Sequence, residues 1–256
     1  MTAGADRFSL AGLNALVIGG SSGIGKAIAA GYLEAGARVA IAGRDRAKLD
    51  GAAAQLASMG DARAHCADAA DPAALARLLG EVIADFGSID VLVNSQGTLV
   101  LKPAEQFTAE DWDRVIDTNL RSVFFACIGA GRHMLERGRG SIVNIGSLAS
   151  FRGWPGSALY GMSKAGVVSL TETLAAEWAT RGVRVNAIAP GFIMTDINRD
   201  KMGVERKARA LGRTPMGRFG ETEDIVGAAI YLASPSASYV TGETIRVDGG
   251  FLAAGL

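Results

Sequence analysis

The chain has 256 residues, 49% of them hydrophobic, with 26 basic and 26 acidic side chains. A chain of this length can bury a large core, and α/β proteins of this size commonly form one domain, so we expect a single domain over residues 1–256. The balanced charge argues against the broad positive field that binds nucleic acid or an anionic membrane. Only His65 and His133 are present, which disfavours a His-based triad or a His-rich metal site.

Cys66 and Cys127 stand apart in apolar segments, without the spacing of a disulfide framework or a zinc site, and we expect both to be small core residues. The N-terminus lacks a continuous apolar stretch, and no later stretch reaches the roughly 18 apolar residues of a membrane span. These features predict a cytoplasmic protein whose partners include neither nucleic acid nor a membrane.

Short runs rich in Val and Ile alternate with longer amphipathic stretches. The predicted strands are 14–18, 38–42, 62–67, 90–93, 141–145, 184–188 and 244–247. The predicted helices are 24–35, 46–59, 72–86, 109–136, 158–180 and 223–233. This order predicts an α/β fold, a Rossmann-type doubly wound sheet of seven mainly parallel strands with helices on both faces. Ligands of such sheets bind beyond the carboxyl ends of the strands, so the turns that follow the strands are the first candidates for functional residues.

A glycine-rich turn follows the first predicted strand, with the sequence Gly19-Gly20-Ser21-Ser22-Gly23-Ile24-Gly25. Glycine permits a tight turn and close backbone approach to a pyrophosphate at a helix N-terminus, and the two serines add hydroxyl donors. Strand, turn and helix in this order indicate nucleotide binding, although an ordinary strand-to-helix turn leaves the same pattern.

Ser147, Tyr160 and Lys164 follow the spacing Ser-x12-Tyr-x3-Lys. On a helix, Tyr160 and Lys164 share one face, and Ser147 stands just after the fifth predicted strand. Tyrosine can exchange a proton with an alcohol or alkoxide if its pKa falls from about 10 to about 7, which requires about 4 kcal/mol. An ammonium about 4 Å away, at an effective dielectric near 20, supplies about that amount, and Lys164 is placed to be that cation.

The glycine spacing and the Ser-Tyr-Lys spacing together resemble those of the short-chain dehydrogenase/reductase family, and the likeness extends over residues 10–251. It implies hydride transfer between a nicotinamide cofactor and a ketone or secondary alcohol. Tyr160 would be the acid/base, Lys164 would also hold the nicotinamide ribose, and Ser147 would bind the substrate oxygen. Asn119, a poor helix former inside a helical pattern, would organise a water relay to Lys164.

The resemblance also assigns contacts at the adenosine end of the cofactor. Arg44 stands where an acidic residue would select NAD, and its guanidinium can pair with a 2′-phosphate, which favours NADP. A solvated Arg44, partly neutralised by Asp45, is the alternative, with NAD as the cofactor. Asp68 and Ala69 resemble the adenine contact, while a helix-capping role for Asp68 or Asp71 stays open.

Two further turns complete the predicted cofactor site. Asn94-Ser95-Gln96-Gly97 resembles the family's Asn-Asn-Ala-Gly turn, with the middle two residues changed. The segment from Pro190 to Thr195 resembles the part that meets the nicotinamide carboxamide, although a plain Pro-Gly turn explains it too. The predicted cofactor-binding residues are Gly19, Ser21, Ser22, Gly23, Ile24, Gly25, Arg44, Asp68, Ala69, Asn94, Gly97, Tyr160, Lys164, Pro190, Gly191, Ile193 and Thr195, and no metal is expected.

Substrate contacts are expected from 98–102, from 148–154 and from a lid after Thr195. Between positions 196 and 213, six basic residues stand against three acidic ones. A basic lid favours a polar small molecule such as a sugar acid, polyol or 3-oxoacyl group, but a solvated helix face explains the same charges. The chain resembles sugar-acid dehydrogenases and 3-oxoacyl-carrier-protein reductases about equally.

Two other functional classes remain open from the sequence. One is a non-catalytic nucleotide-binding sensor or scaffold, because fold does not fix function. The other is a sugar-nucleotide epimerase, which would usually need an added substrate domain. The resemblance implies a homotetramer, with a dimer as the second choice.

Overall fold

The computed structural model describes residues 6–195 and 203–254. Its strands are β1 (Asn14–Ile18), β2 (Arg38–Gly43), β3 (Ala62–Cys66), β4 (Val91–Asn94), β5 (Gly140–Ile145), β6 (Val183–Pro190) and β7 (Thr244–Val247). Its α-helices are α1 (Gly23–Glu34), α2 (Arg46–Leu56), α3 (Pro72–Phe86), α4 (Ala109–Ile116), α5 (Ser122–Arg137), α6 (Ala158–Trp178), α7 (Val204–Gly212) and α8 (Glu223–Ala233).

The strands lie in the order β3-β2-β1-β4-β5-β6-β7, and each neighbouring pair is parallel. The chain runs outward from β1 to β3 and then crosses to β4 on the other side of β1, so the topological switch point lies between β1 and β4. Ile18 is paired in register with Asn94, so the turns after β1 and β4 leave the sheet side by side. The predicted doubly wound parallel sheet is confirmed.

Alternating side chains of each strand anchor two helical layers. Ala15 and Val17 of β1 pack in a core cluster with residues of α1, α2 and α8. Leu16 and Ile18 pack on the opposite face with residues of α3, α5 and α6. Because successive strand residues point to opposite faces, the fully buried β1 supports both layers with a short apolar run.

The predicted helix 109–136 is interrupted. α4 ends at Ile116, α5 begins at Ser122, and Asp117–Arg121 between them forms a π-helical segment. The apolar periodicity did not reveal this change, because a single wider turn leaves the spacing of apolar residues nearly unchanged.

The predicted lid contains a helix, α7, that periodicity did not indicate. Arg209 and Arg213 on or beside it are exposed, as the solvated helix face requires. Arg199 and Lys201, which contribute to the basic charge expected of the lid, lie outside the described residues.

The two cysteines are both free thiols, but their surroundings differ. Cys127 is buried on α5, as predicted, whereas Cys66 is exposed, so the prediction of a core position for it was wrong. The reason is that Cys66 ends β3, the outermost strand, whose residues are only partly covered. Within the described part of the chain, no helix is long and apolar enough to cross a membrane.

Candidate active site

The glycine-rich turn packs so closely on its neighbours that side chains do not fit. A Cβ on Gly25 would lie 2.2 Å from the main-chain oxygen of Gly19, and a Cβ on Gly19 would lie 2.8 Å from the main-chain nitrogen of Gln96. Gly19 also has a φ of 82°, in the left-handed region. Glycine is therefore required where the turn after β1 rests on the turn after β4.

α1 begins directly after this turn, and the side chain of its own N-cap residue does not cap it. Its N-cap residue, Ser22, makes no side-chain cap hydrogen bond. Ile24 packs against the core and fixes the start of the helix. The N–H groups at a helix N-terminus and the positive end of the helix dipole suit an anionic group, so the turn fits the pyrophosphate of a dinucleotide.

Ser21 and Arg44 lie together where β2 ends. A Cβ on Gly43 would lie 3.3 Å from Ser21 Oγ, and Arg44 is the next residue and is exposed. Asp45, the alternative partner of Arg44, instead caps α2 by accepting from Lys48 N over 3.1 Å, and it pairs with Lys48 Nζ at 3.6 Å. Within the described ranges, the Arg44 guanidinium forms no ion pair of its own.

The two aspartates after β3 have different partners. Asp71 is the N-cap of α3 and accepts from Ala73 N over 2.9 Å, so the capping role belongs to Asp71. Asp68 is exposed and accepts from Ala70 N over 3.0 Å. Ala69 packs beside it against the core. Asp68 is thus placed at the edge of the sheet with one carboxylate oxygen bound locally.

Asn94 is turned away from the sheet edge. Its side-chain amide is 1% exposed and donates to Asn144 Oδ1 over 2.8 Å and to Cys127 Sγ over 3.3 Å. Asn94 therefore anchors the start of the turn after β4 to β5 and α5. A cofactor contact at this position would have to come from the main chain.

Asn119 and Lys164 face the same point. A Cβ on Gly97 would lie 3.6 Å from Asn119 Oδ1 and 3.7 Å from Lys164 Nζ. Asn119 lies in the π-helical segment, accepts from Thr98 N over 2.7 Å and donates to Thr98 O over 2.9 Å. Lys164 is buried, and its Nζ donates to Ile145 O at the end of β5 over 2.7 Å. The turn after β4 thus lies between the two side chains.

Tyr160 and Ser147 lie opposite one another at the start of α6 and the end of β5. Burial raises the pKa of Tyr160 above its usual value, and hydrogen bonding with the Ser147 hydroxyl opposes that rise. Ser163 connects this pair to the π-helical segment, because its hydroxyl donates to Tyr160 O over 2.8 Å and accepts from Asn119 Nδ2 over 3.1 Å. The segments that carry the four predicted catalytic residues therefore meet at the carboxyl ends of β4 and β5, with Ser163 joining the main chain of Tyr160 to the Asn119 amide.

The pKa of Tyr160 shifts in the direction opposite to the one that the sequence predicted. Burial lowers the pKa of Lys164 from 10.5 to about 8, and the protein's own groups leave the pKa of Tyr160 raised rather than lowered. The ammonium is directed at the Ile145 carbonyl, and loss of water penalises both charged forms. An acidic phenol at this site therefore requires positive charge in addition to that of Lys164.

The segment after β6 returns towards the glycine-rich turn. Pro190 ends β6, and a Cβ on Gly191 would lie 2.7 Å from Asp248 Cα. Ile193 is buried and bridges to Gly220. Thr195 Cγ2 lies 3.4 Å from the position of a Cβ on Gly23, so this segment closes the cleft over α1.

Two features of the site were not found from the sequence. Trp154, Phe192 and Phe251 form an aromatic cluster beyond β5, β6 and β7, with ring centroids 5.4–5.8 Å apart. Phe251 was not predicted as a site residue, although its position shortly after β7 is a usable signal. Gln96 was noted only as a departure from the family turn, yet it bonds to Ser122.

Comparisons with known proteins bear on the family and on the fold. A family model described as enoyl-(acyl carrier protein) reductase matches residues 18–252. Gluconate 5-dehydrogenase of Gluconobacter oxydans (strain 621H) is 39% identical over 247 residues, covering 96% of each chain. A 3-oxoacyl-[acyl-carrier-protein] reductase of Staphylococcus aureus is 41% identical over 244 residues, covering 93% of this chain and 97% of that one.

Among solved structures, a gluconate 5-dehydrogenase from Burkholderia cenocepacia J2315 in complex with NADP and tartrate has a TM-score of 0.93 at 36% identity. The match covers 97% of this chain and 98% of that one. With the family model, these relatives establish that the chain belongs to the short-chain dehydrogenase/reductase family of oxidoreductases.

Proposed function

We propose that this chain is an NADP(H)-dependent oxidoreductase that interconverts a ketone and a secondary alcohol, with Tyr160 as the acid/base. The observation that carries the proposal is that the segments holding Asn119, Ser147, Tyr160 and Lys164 meet beside a turn suited to a dinucleotide. Family membership supports the same chemistry.

Each side chain of the cluster has a distinct part in the reaction. Bound NADP(H) supplies or accepts the hydride. The Ser147 hydroxyl holds the substrate oxygen beside the phenol of Tyr160, which gives it a proton during reduction and takes one during oxidation. Lys164 stabilises the phenolate, and Asn119 organises a water relay that exchanges protons with Lys164.

The preference for NADP over NAD rests on Ser21 and Arg44. A guanidinium not engaged by Asp45 and a nearby hydroxyl suit a 2′-phosphate. Hydrogen bonds to charged groups contribute about 1.5–3 kcal/mol. Arg44→Ala should therefore weaken NADP(H) binding by about 10–100-fold while NAD(H) binding stays nearly constant.

Isothermal titration with both nucleotides tests this preference. Arg46→Ala, which removes an exposed arginine paired with Asp50 at 3.3 Å, is the matched control. An equal loss of affinity for both nucleotides in the Arg44 variant would remove the basis for preferring NADP.

The proposed substrate is a polar small molecule, such as a sugar acid, a polyol or a 3-oxoacyl group. Relatives named for gluconate and for 3-oxoacyl-[acyl-carrier-protein] support this range. Lys102 is a weaker candidate for binding a substrate anion than its position suggested, because its ammonium is already paired with Asp111.

A single assay tests the proposed activity. Purified protein is mixed with NADPH or NADH and a panel of ketones, sugar acids and 3-oxoacyl thioesters, and the absorbance of the reduced nicotinamide is followed. Tyr160→Phe should lower kcat by about 10²–10⁴-fold, the usual contribution of a positioned acid or base. Tyr239→Phe, at a fully exposed tyrosine, is the matched control and should retain activity.

A non-catalytic nucleotide sensor is the competing outcome of that assay. Tight nucleotide binding with no turnover on any substrate would favour it. If Tyr160→Phe kept the turnover of the wild type, the chain would still be an enzyme, but Tyr160 would not be its acid/base.

A homotetramer in the cytoplasm forms part of the same proposal. A largely apolar groove crosses α4, the π-helical segment, α5 and α6, and Phe124 in it is 42% exposed. Its lining residues are Ile116, Leu120, Arg121, Phe124, Gly166, Ser169 and Leu170. Apolar faces of this kind are typical of subunit contacts. Light scattering should give a tetramer mass for the wild type and a smaller mass for Phe124→Glu, whereas a wild-type dimer would contradict the proposal.

A further inference from the structure

The side chain of Gln96 ties the turn after β4 to the π-helical segment. Gln96 Nε2 donates to Ser122 Oγ over 3.1 Å, and Ser122 Oγ donates to the main-chain oxygen of Thr118 over 2.6 Å. The Ser122 hydroxyl gives its only proton to Thr118 and accepts from Gln96 with a lone pair. The two hydrogen bonds therefore form one directed chain from the turn to the helix.

The π-helical geometry gives the Ser122 hydroxyl bond a role that the equivalent bond of Thr171 to Val167 O in the regular helix α6 does not have. The Ser122 N–H bonds to Asp117 O, five residues back, and so does not reach Thr118 O, four residues back. The Ser122 hydroxyl supplies a donor to Thr118 O, and Gln96 fixes the orientation of that hydroxyl. In an ordinary α-helical register the main chain would satisfy Thr118, and the direction of Asn119 would change by up to about 100°, the rotation per residue.

A second connection joins the same two segments. The Asn119 amide bonds to both main-chain groups of Thr98. Gln96 and Thr98 flank Gly97, the residue that faces Lys164 Nζ. The two connections therefore lie on either side of Gly97, and together they fix the direction of Asn119 relative to Lys164.

The two polar atoms of the Gln96 side chain have opposite effects on stability: Nε2 donates to Ser122 Oγ over 3.1 Å and to Asn94 Oδ1 over 3.5 Å, whereas Oε1 is unmatched. The family turn that this segment resembles has alanine there, which offers no side-chain donor. Gln96 Oε1 is buried and finds no hydrogen-bond partner among residues 6–195 and 203–254, and a buried acceptor in that situation is destabilising. A residue that violates a local rule beside an active site is a candidate for a functional role.

We propose that Gln96 is a positioning residue for the reaction: through Ser122 it holds the π-helical register and so keeps Asn119 bonded to Thr98 and Ser163, beside the Gly97 turn that Lys164 also approaches. This inference rests on the proposed oxidoreductase function. It adds a residue that touches neither the reacting atoms nor Lys164 itself.

The test removes the hydrogen bonds while keeping the packing. Gln96→Met retains the length of the side chain without its donor, Ser122→Ala removes the hydroxyl, and a double variant combines them. Gln55→Ala, at a glutamine bonded to Lys26 on the surface, is the matched control. Steady-state kinetics give kcat and the KM for nucleotide, and hydrogen exchange reports on the amides of 117–123.

We expect kcat to fall about tenfold in each single variant while the KM for nucleotide stays within about twofold, because misdirection of a relay group affects the chemical step. The double variant should be no worse than the poorer single variant, because the two bonds act in series. Amides of 117–123 should exchange faster in both variants, with α8 unchanged.

Wild-type kcat in Gln96→Met, or unchanged exchange over 117–123, would overturn the proposal, as would an equal loss in Gln55→Ala. Failure of the proposed function is distinguishable, because it would appear as absent turnover in the wild-type chain. The exchange comparison would then still decide whether Gln96 holds the π-helical register.

Discussion

Replacing Lys164 by Met should reveal how much the buried Lys164 ammonium lowers the free energy of unfolding. Lys164 is 4% exposed and has no acidic partner among the described residues; its ammonium donates to Ile145 O. Burial lowers its pKa from 10.5 to about 8, a shift that amounts to about 3 kcal/mol of destabilisation when the group is charged. Methionine fills similar space without charge, at the cost of about 1–3 kcal/mol for the carbonyl left without its donor.

The pH dependence isolates the charge. Because the folded-state pKa lies below the unfolded one, the destabilisation is fully present below about pH 8 and disappears as pH rises towards 10.5. From about pH 7 to about pH 10, the free energy of unfolding of the wild type should therefore rise by about 2.5 kcal/mol relative to that of Lys164→Met. The carbonyl and packing terms do not depend on pH and cancel in this comparison.

Urea denaturation at both pH values and one protein concentration measures the difference, and turnover is measured alongside. Lys26→Met, which removes a lysine bonded to Gln55, controls for loss of a surface lysine. The variant should be inactive at both pH values. A stability difference that stays constant within about 0.5 kcal/mol, well below the predicted change, would refute the reasoning that Lys164 is a destabilising buried cation.

Two further predictions concern the walls of the site. Gly25→Ala places a Cβ 2.2 Å from Gly19 O and should weaken nucleotide binding by at least about tenfold, since even a small shift of a preorganised site is costly. Gly51→Ala, also in a helix but in open space, should instead stabilise the protein by up to about 1 kcal/mol. Titration calorimetry measures the nucleotide affinity of both variants, and thermal unfolding measures their stability. Equal effects of the two substitutions would contradict the argument that the Gly25 Cβ acts through its close contact with Gly19 O. Trp154→Ala, which opens the aromatic cluster with Phe192 and Phe251, should raise the KM for substrate and leave nucleotide affinity unchanged. If substrate and nucleotide affinity fell together, the aromatic cluster would instead serve the stability of the fold.

The sheet and its helices were predictable because local pattern and tertiary environment agree. β1 is buried on both faces, so its continuous apolar run predicts a parallel strand without ambiguity. The helix Pro72–Phe86 matched its predicted bounds because Asp71 caps one end and Gly87, in the left-handed conformation, ends the other. Where caps and apolar periodicity coincide, sequence determines the bounds of an element.

What could not be predicted depends on contacts between distant segments. The π-helical segment is contacted, through Ser122, by a glutamine 26 residues before that serine, a pairing that no periodicity reports. The raised pKa of Tyr160 follows from burial, which the spacing of Tyr160 and Lys164 does not reveal. The exposure of Cys66 follows from the outermost place of β3, and strand order is a property of the whole chain.

Buried polar groups at the two ends of the sheet show how the site differs from the scaffold. At the amino end, Asp90 is buried, yet bonds from Arg137, Asn14 and Ser88 outweigh that burial and lower its pKa. Every partner there is matched, as a structural network requires. At the carboxyl end, Lys164 is charged without a described anion and Gln96 Oε1 lacks a described partner.

Unmatched polar atoms also occur away from the site: His133 Nε2 and Thr244 Oγ1 are buried without a partner among the described residues. A buried cation with no described anion is what distinguishes the carboxyl end of β5, and it supports the chemistry proposed there. It predicts that substitutions such as Lys164→Met relieve strain in the fold while abolishing turnover, the reverse of what removing Arg137 from Asp90 would do.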